Sequence, residues 1–230
     1  MKKLFAILFC LLSLPMWAQI DTGSRQADME LAGFVNKNVE YDNSEGSRYL
    51  NEAFVPAKIN RSKKTHLVRF NVVENTIEVK RTDSKIMSLS ESNNYFIELL
   101  DGSNKIYVTR EYTDDNGKLK TTFFEEMRDT DQYALYMKEQ IIYVRPQETK
   151  THYEQSKYGK FIAGRTKFYF QEKNTEFSAL KEIPKKKKAF LSLFGEHAKS
   201  MEQFLKKEKV KTDNRADISK ILDHYFTLKV

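Results

Sequence analysis

The sequence predicts an α+β protein: an antiparallel β meander, bent into a curved sheet, a sandwich or a partial barrel, followed by a small C-terminal helical segment. Three observations predict it. From Tyr49 onward, apolar and polar residues alternate in short runs, the period of half-buried strands. Asp-Gly and Asn-Gly steps separate several of these runs, and such steps accept the positive φ angles that hairpin turns need. After Pro184 the apolar spacing lengthens to three and four residues, the period of a helix.

The chain opens with Met1-Lys2-Lys3, a near-unbroken apolar run from Leu4 to Leu14, Pro15, and Ala18-Gln19. Positive start, apolar core and small residue before polar sequence are the order of a secretory signal peptide. Residues 1–18 are therefore expected to be cleaved. The run is shorter than the roughly 20 residues of a membrane span. Cys10 lies inside it, between Phe9 and Leu11, rather than after a small residue at its end, so a lipoprotein anchor is not expected. Residues 19–46 read as a flexible segment. Within it, Met29, Leu31, Phe34, Val35 and Val39 allow one short element, helix or strand, and Asp42-Asn43-Ser44-Glu45-Gly46 reads as a turn or linker.

Residues 47–180 form the expected β domain. Leu67 to Val72 and Thr76 to Lys80 alternate around Glu74-Asn75 as a hairpin would. Tyr95 to Leu100 leads through Asp101-Gly102 to Lys105–Tyr112, and Asp114-Asp115-Asn116-Gly117 leads to Lys118–Met127. Further strands are expected at Tyr133–Met137 and Gln140–Val144. Phe161–Ala163 and Thr166–Gln171 flank Gly164-Arg165 and read as one more hairpin. Periodicity leaves sandwich, open curved sheet and partial barrel as alternatives.

Residues 181–230 form the expected basic helical segment, packed on the sheet. Phe190, Leu191 and Phe194 make one helical face that Gly195 can end. Ala198, Met201, Phe204 and Leu205 make a second. Asn214, with Asp217 three residues on, resembles a capping arrangement and opens a third helix carrying Ile218, Ile221, Leu222, Tyr225 and Phe226.

Composition excludes several chemistries. The single Cys and single Trp are Cys10 and Trp17, both within the leader, so the mature chain is expected to use no disulfide or metal–thiolate site. His66, His152, His197 and His224 stand at no metal-ligand spacing. His66 is expected at the strand surface, and His197 and His224 near helix ends. Placing Gly117 at the sixth position of a calcium loop puts Tyr112 and Phe123 where carboxylates belong. No G-x-S-x-G frame or glycine-rich phosphate loop occurs. Glu125 and Glu126 adjoin, so on a strand they face opposite ways. No catalytic residue, metal or cofactor is expected.

Charge is local. The chain carries +7, and loss of Lys2 and Lys3 leaves +5. Residues 181–211 hold ten Lys and four Glu, a net +6, so the remainder of the mature chain stands at −1. Lys185, Lys186, Lys187, Lys188, Lys206 and Lys207 are the candidate patch for an anionic partner. A solvated helix face explains the same lysines. The cluster lacks Arg, which favours diffuse attraction over bidentate phosphate recognition, and an exported chain is not expected to meet nucleic acid.

The stretch Gly46-Ser47-Arg48-Tyr49-Leu50-Asn51-Glu52-Ala53-Phe54-Val55-Pro56-Ala57-Lys58-Ile59 resembles the opening of a group of exported proteins of unknown function from Bacteroidetes-type bacteria. The hairpin Leu67 to Lys80 and the Lys-rich close through Asp223-His224-Tyr225-Phe226 are similar to the rest of that group. The resemblance implies no activity and transfers no functional residue. The expected function is that of an exported, non-enzymatic protein, periplasmic or secreted, binding a macromolecular or envelope partner. A carrier holding a small apolar ligand or lipid in its curved sheet is the alternative. A hydrolase with a dispersed site is the weakest reading.

Overall fold

The computed structural model describes residues 34–35, 41, 44–81, 85–146, 158–173 and 180–229. The expected leader 1–18, most of the segment 19–46, and His152 lie outside the described residues. Among the described residues, thirteen strands and three α-helices follow one another: β1 (Phe34–Val35), β2 (Val55–Ile59), β3 (Thr65–Asn71), β4 (Thr76–Lys80), β5 (Ile86–Leu89), β6 (Phe96–Leu99), β7 (Ile106–Thr113), β8 (Leu119–Asp129), β9 (Tyr133–Lys138), β10 (Ile141–Val144), β11 (Lys160–Ala163), β12 (Lys167–Glu172), β13 (Lys181–Ile183), α1 (Lys187–Ser192), α2 (Ala198–Glu208) and α3 (Arg215–Leu228). A 3₁₀ turn, Gly195–His197, joins α1 to α2. The fold class is the α+β class read from the sequence, and the sheet is a curled half-barrel.

Eleven strands form one sheet in the order β1-β5-β4-β3-β2-β6-β7-β8-β9-β12-β13, with every pair antiparallel. The chain lays down β2 to β5 as a meander and then returns, so that β6 pairs with the free side of β2. Pro56 is tolerated in this central strand because it stands near its start. Its carbonyl accepts from Leu100 N, and the register with β6 begins one residue later, at Ala57↔Leu99.

Turn chemistry behaves as the residues dictate. Asn75, φ 49°, closes β3–β4, and Gly117, φ 75°, closes β7–β8. Asp114 Oδ1 accepts from Asn116 N and Lys118 N, the local bonding that makes Asp a turn residue. The Asp101-Gly102 step is part of a longer loop rather than a two-residue turn. Leu99 N reaches Lys105 O at 3.0 Å, and the backbone between needs positive φ at both Gly102 and Asn104.

The hairpin expected around Gly164-Arg165 does not form. β11 pairs with β10 in a separate two-stranded ribbon, Ile141↔Ala163 through Val144↔Lys160, while β12 pairs with β9. Gly164 N donates to Gln140 O at 2.7 Å, so Gly164 marks where the ribbon leaves the sheet. Two further expectations are corrected. Tyr41 and residues 44–46, assigned to a flexible segment, are held: Tyr41 packs edge-on to Tyr143 and Phe161, and the Glu45 backbone bonds Gly159 O and Phe161 N. Residues Lys181–Ile183, assigned to the helical segment, form the last strand of the sheet.

β9 is buried from Tyr133 to Met137 because both its faces are covered. Ala134 and Tyr136 pack with Val108, Tyr112, Phe124 and Tyr169. Tyr133, Leu135 and Met137, with Phe168, Phe170 and Ile183, meet the helices through Phe190, Phe194, Met201, Ile218, Ile221, Leu222, Tyr225 and Phe226. Each such side chain stabilises the fold by about 1.5–3 kcal/mol relative to exposure. Tyr133 stacks on Phe226 with ring centroids 4.9 Å apart. At the start of α3, Asn214 Oδ1 accepts from Ala216 N and Asp217 N. Asp217 bonds Lys211 N rather than returning to Asn214 N, so half of the expected reciprocal cap is used to tether the preceding loop.

Candidate functional site

The packing of α1 on α2 brings two of the lysines, Lys187 and Lys206, to one carboxylate. Glu202 on α2 accepts Lys187 Nζ at 2.7 Å and Lys206 Nζ at 3.3 Å, which joins the run 185–188 to the pair 206–207. Lys185 lies 3.4 Å from Asp213. Lys186, Lys188 and Lys207 are exposed and have no carboxylate partner among the described residues. Bonds from Lys187 and Lys206 hold the Glu202 carboxyl below its ordinary value. The first turn of α1 contains no acidic residue, so the positive helix end adds to the lysine charge instead of being offset by it.

The most buried charges lie elsewhere and carry no sequence signature. Glu125, on β8, is 3 % exposed. Lys105 Nζ stands 3.2 Å from its Oε2, and Arg215, the first residue of α3, binds its Oε1. Tyr107 lies opposite on β7; burial, then the Glu125 carboxylate, pushes its phenol up. Burial also raises the neighbouring Glu139 carboxyl, with Lys105 pulling against the rise and Glu125 adding to it. Glu126 faces the other way, 3.6 Å from Arg110, as adjacent strand residues must. Arg215 binds one oxygen of Glu125 and Lys105 stands at ion-pair distance from the other, so Glu125 ties α3 to the sheet.

A second network explains the stretch from Gly46 to Ile59. Arg69 binds Glu78 at 2.7 Å, and Asn71 Nδ2 donates to Glu78 Oε1. Tyr49 Oη donates to the same carboxylate and accepts from Arg69, whose guanidinium lies over the Tyr49 and Phe54 rings. Gly46 has φ 82°, and a Cβ there would stand 3.0 Å from Phe161 O. These residues bind segment 44–54 to β3 and β4.

His66, His197, His224 and the acidic turn have structural partners. His66 is buried, not at the surface, because it shares the inward face of β3 with Val68 and Phe70. His197 lies 3.6 Å from Glu196, and His224 stacks on Phe204 at 3.9 Å. Asp114 binds Lys120 at 2.8 Å, and Asp115 binds Lys167 at 2.6 Å; the Lys120 bond holds the Asp114 carboxyl down at about 2. Among the described residues, no three His, Cys, Asp or Glu side chains are grouped to hold a metal ion, and no helix is long and apolar enough to cross a membrane.

Three hollows accompany these networks. One of about 220 Å³ is walled by Val68, Phe70, Ile77 and Tyr107 and rimmed by Asp101 and Lys105. Another, of about 240 Å³, lies between the β3–β4 turn and Lys138, Arg165 and Lys167. A third, about 800 Å³, is an open polar groove beside β7. No protein-family model, curated protein or solved structure matches the chain.

Proposed function

We propose that the chain is an exported, non-enzymatic protein of the periplasm or cell envelope that binds an anionic envelope component through its lysine face. Export rests on the order of residues in Met1–Gln19. The observation that carries the binding reading is the meeting of the two lysine groups around a single Glu202, with Lys186, Lys188 and Lys207 left exposed beside it. Three exposed ammonium groups without a carboxylate partner among the described residues attract an anionic surface in a manner that salt screens. Lys side chains provide point charges without fixed geometry, which suits a headgroup layer or an acidic polysaccharide better than one shaped ligand. The carrier reading has less support. The space between helices and sheet is filled by Phe170, Phe190, Met201, Ile221 and their neighbours, and the apolar hollow of about 220 Å³ is smaller than the roughly 300–1,000 Å³ of ligand sites.

The test is co-sedimentation of the purified protein with envelope fragments across a salt series, for wild type and the triple variant Lys186→Gln, Lys188→Gln, Lys207→Gln. The expected result is retention that falls with salt and drops several-fold in the variant. Equal pelleting of the two proteins at every salt concentration refutes the reading.

A further inference from the structure

The hollow of about 220 Å³ combines an apolar wall, an unmatched charge and a buried hydroxyl. Val68, Phe70, Ile77 and Tyr107, which wall it, are all buried, and the Phe70 and Tyr107 ring centroids stand 4.9 Å apart. Three charged residues line it as well: Arg69, Asp101 and Lys105. Both cations are matched, Arg69 by Glu78 at 2.7 Å and Lys105 by Glu125 at 3.2 Å. Asp101 forms no ion pair among the described residues. Its Oδ1 accepts from Ser103 N and Ser103 Oγ, which orients the carboxylate and leaves Oδ2 without a hydrogen bond among the described residues. Tyr107 is 3 % exposed, yet its hydroxyl also lacks a hydrogen-bond partner among them. A buried polar group in that state is costly. Burial, then Glu125 and Glu139, push its phenol up; Arg215 pulls the other way and Asp101 adds to the rise. Three carboxylates against one guanidinium place this hydroxyl in a field that favours an approaching cation.

We propose that this hollow binds a small apolar primary amine, its ammonium group meeting Asp101 and the Tyr107 hydroxyl and its apolar body lying against Val68, Phe70 and Ile77. Size sets the class of ligand. An apolar cavity of about 150 Å³ stays dry and takes up benzene, so the hollow accommodates one ring with a short arm and excludes a lipid. Charge sets the sign. An anionic ligand needs a free cation, and both lining cations already hold a carboxylate. An ammonium group brings three donors, for which Asp101 Oδ2 and Tyr107 Oη are acceptors. The faces of the Phe70 and Tyr107 rings attract a cation as well. The bond to Tyr107 gains most, because folding has already stripped that hydroxyl of water. None of the six lysines of the candidate anionic patch lines the hollow.

The experiment titrates the purified protein with three ligands that share one phenyl body, phenethylamine, phenethyl alcohol and phenylacetate, by calorimetry and by amide chemical shifts. The expected result is saturable binding of the amine at millimolar concentration, with shifts centred on Val68, Phe70, Asp101 and Tyr107. The alcohol binds about five-fold more weakly or worse, and the carboxylate does not bind. Tyr107→Phe keeps the ring and removes the unpaired hydroxyl, so Tm holds or rises while the amine weakens about ten-fold. Asp101→Asn weakens the amine about three- to five-fold, the smaller effect of an exposed partner, and leaves the alcohol unaffected. Absence of saturable amine binding, phenylacetate binding as tightly as the amine, or amine affinity unaltered in either variant overturns the proposal. The lysine triple variant leaves amine binding unchanged, so this proposal and the lysine-face reading fail separately.

Discussion

Arg215→Ala removes one of two cations from a carboxylate that is 3 % exposed. Losing a partner from a fully buried ion pair costs about 3–5 kcal/mol, chiefly because a desolvated charge is stranded. Two features reduce this here. The Arg215 side chain is 50 % exposed, and Lys105 remains 3.2 Å from the other oxygen. A loss of about 1.5–2.5 kcal/mol follows, or a fall in Tm of about 4–8 °C for a chain of this size. Glu125→Gln should cost less, about 0.5–1 kcal/mol, because it removes the buried charge and leaves two cations that can turn to water. Loss of a helix effect does not explain the Arg215 result, since a cation in the first turn opposes the helix dipole. Thermal and urea unfolding of both single variants and the double variant measure the difference. If Arg215→Ala destabilises no more than Glu125→Gln, the stranded-charge argument is wrong.

Two further outcomes are expected. The raised Glu139 carboxyl means that its charged form is disfavoured in the folded state, so its penalty appears as pH rises from the unfolded value of about 4.3. Glu139→Gln should therefore raise stability at neutral pH by up to about 1 kcal/mol and change little below pH ~4; urea midpoints across pH read this, and an unchanged difference at both pH values contradicts it. Asn214→Ala deprives Ala216 N and Asp217 N of their acceptor and should cost about 1 kcal/mol, visible as a lower urea midpoint with an unchanged slope.

The strands were legible wherever local chemistry decides them. Alternation from Leu67 to Lys80 specifies both strands of a hairpin, and Asp114 to Gly117 specifies a turn through bonds within the turn itself. Pairing across distance was not legible. Phe161–Ala163 and Lys167–Glu172 adjoin in sequence but take partners from opposite sides of Gln140, and no period distinguishes a hairpin from two strands that part company. His66 reads as a surface residue by its chemistry, yet its parity with Val68 and Phe70 places it inside. The lysines were legible as a run, but their convergence required the packing of α1 on α2. Glu125 and Arg215 stand 90 residues apart, and each looks like ordinary surface charge. The one available clue was a Glu directly after the aromatic pair Phe123-Phe124.

The helices that cover Tyr133, Leu135, Met137, Phe168 and Phe170 follow those strands in the chain and are made after them. During synthesis, β9 and β12 exist before their cover does. Their aromatic face then offers itself to any neighbouring chain. Completion of the fold waits for Phe226 to stack on Tyr133, so truncation before Phe226 should yield aggregates rather than a shortened native protein.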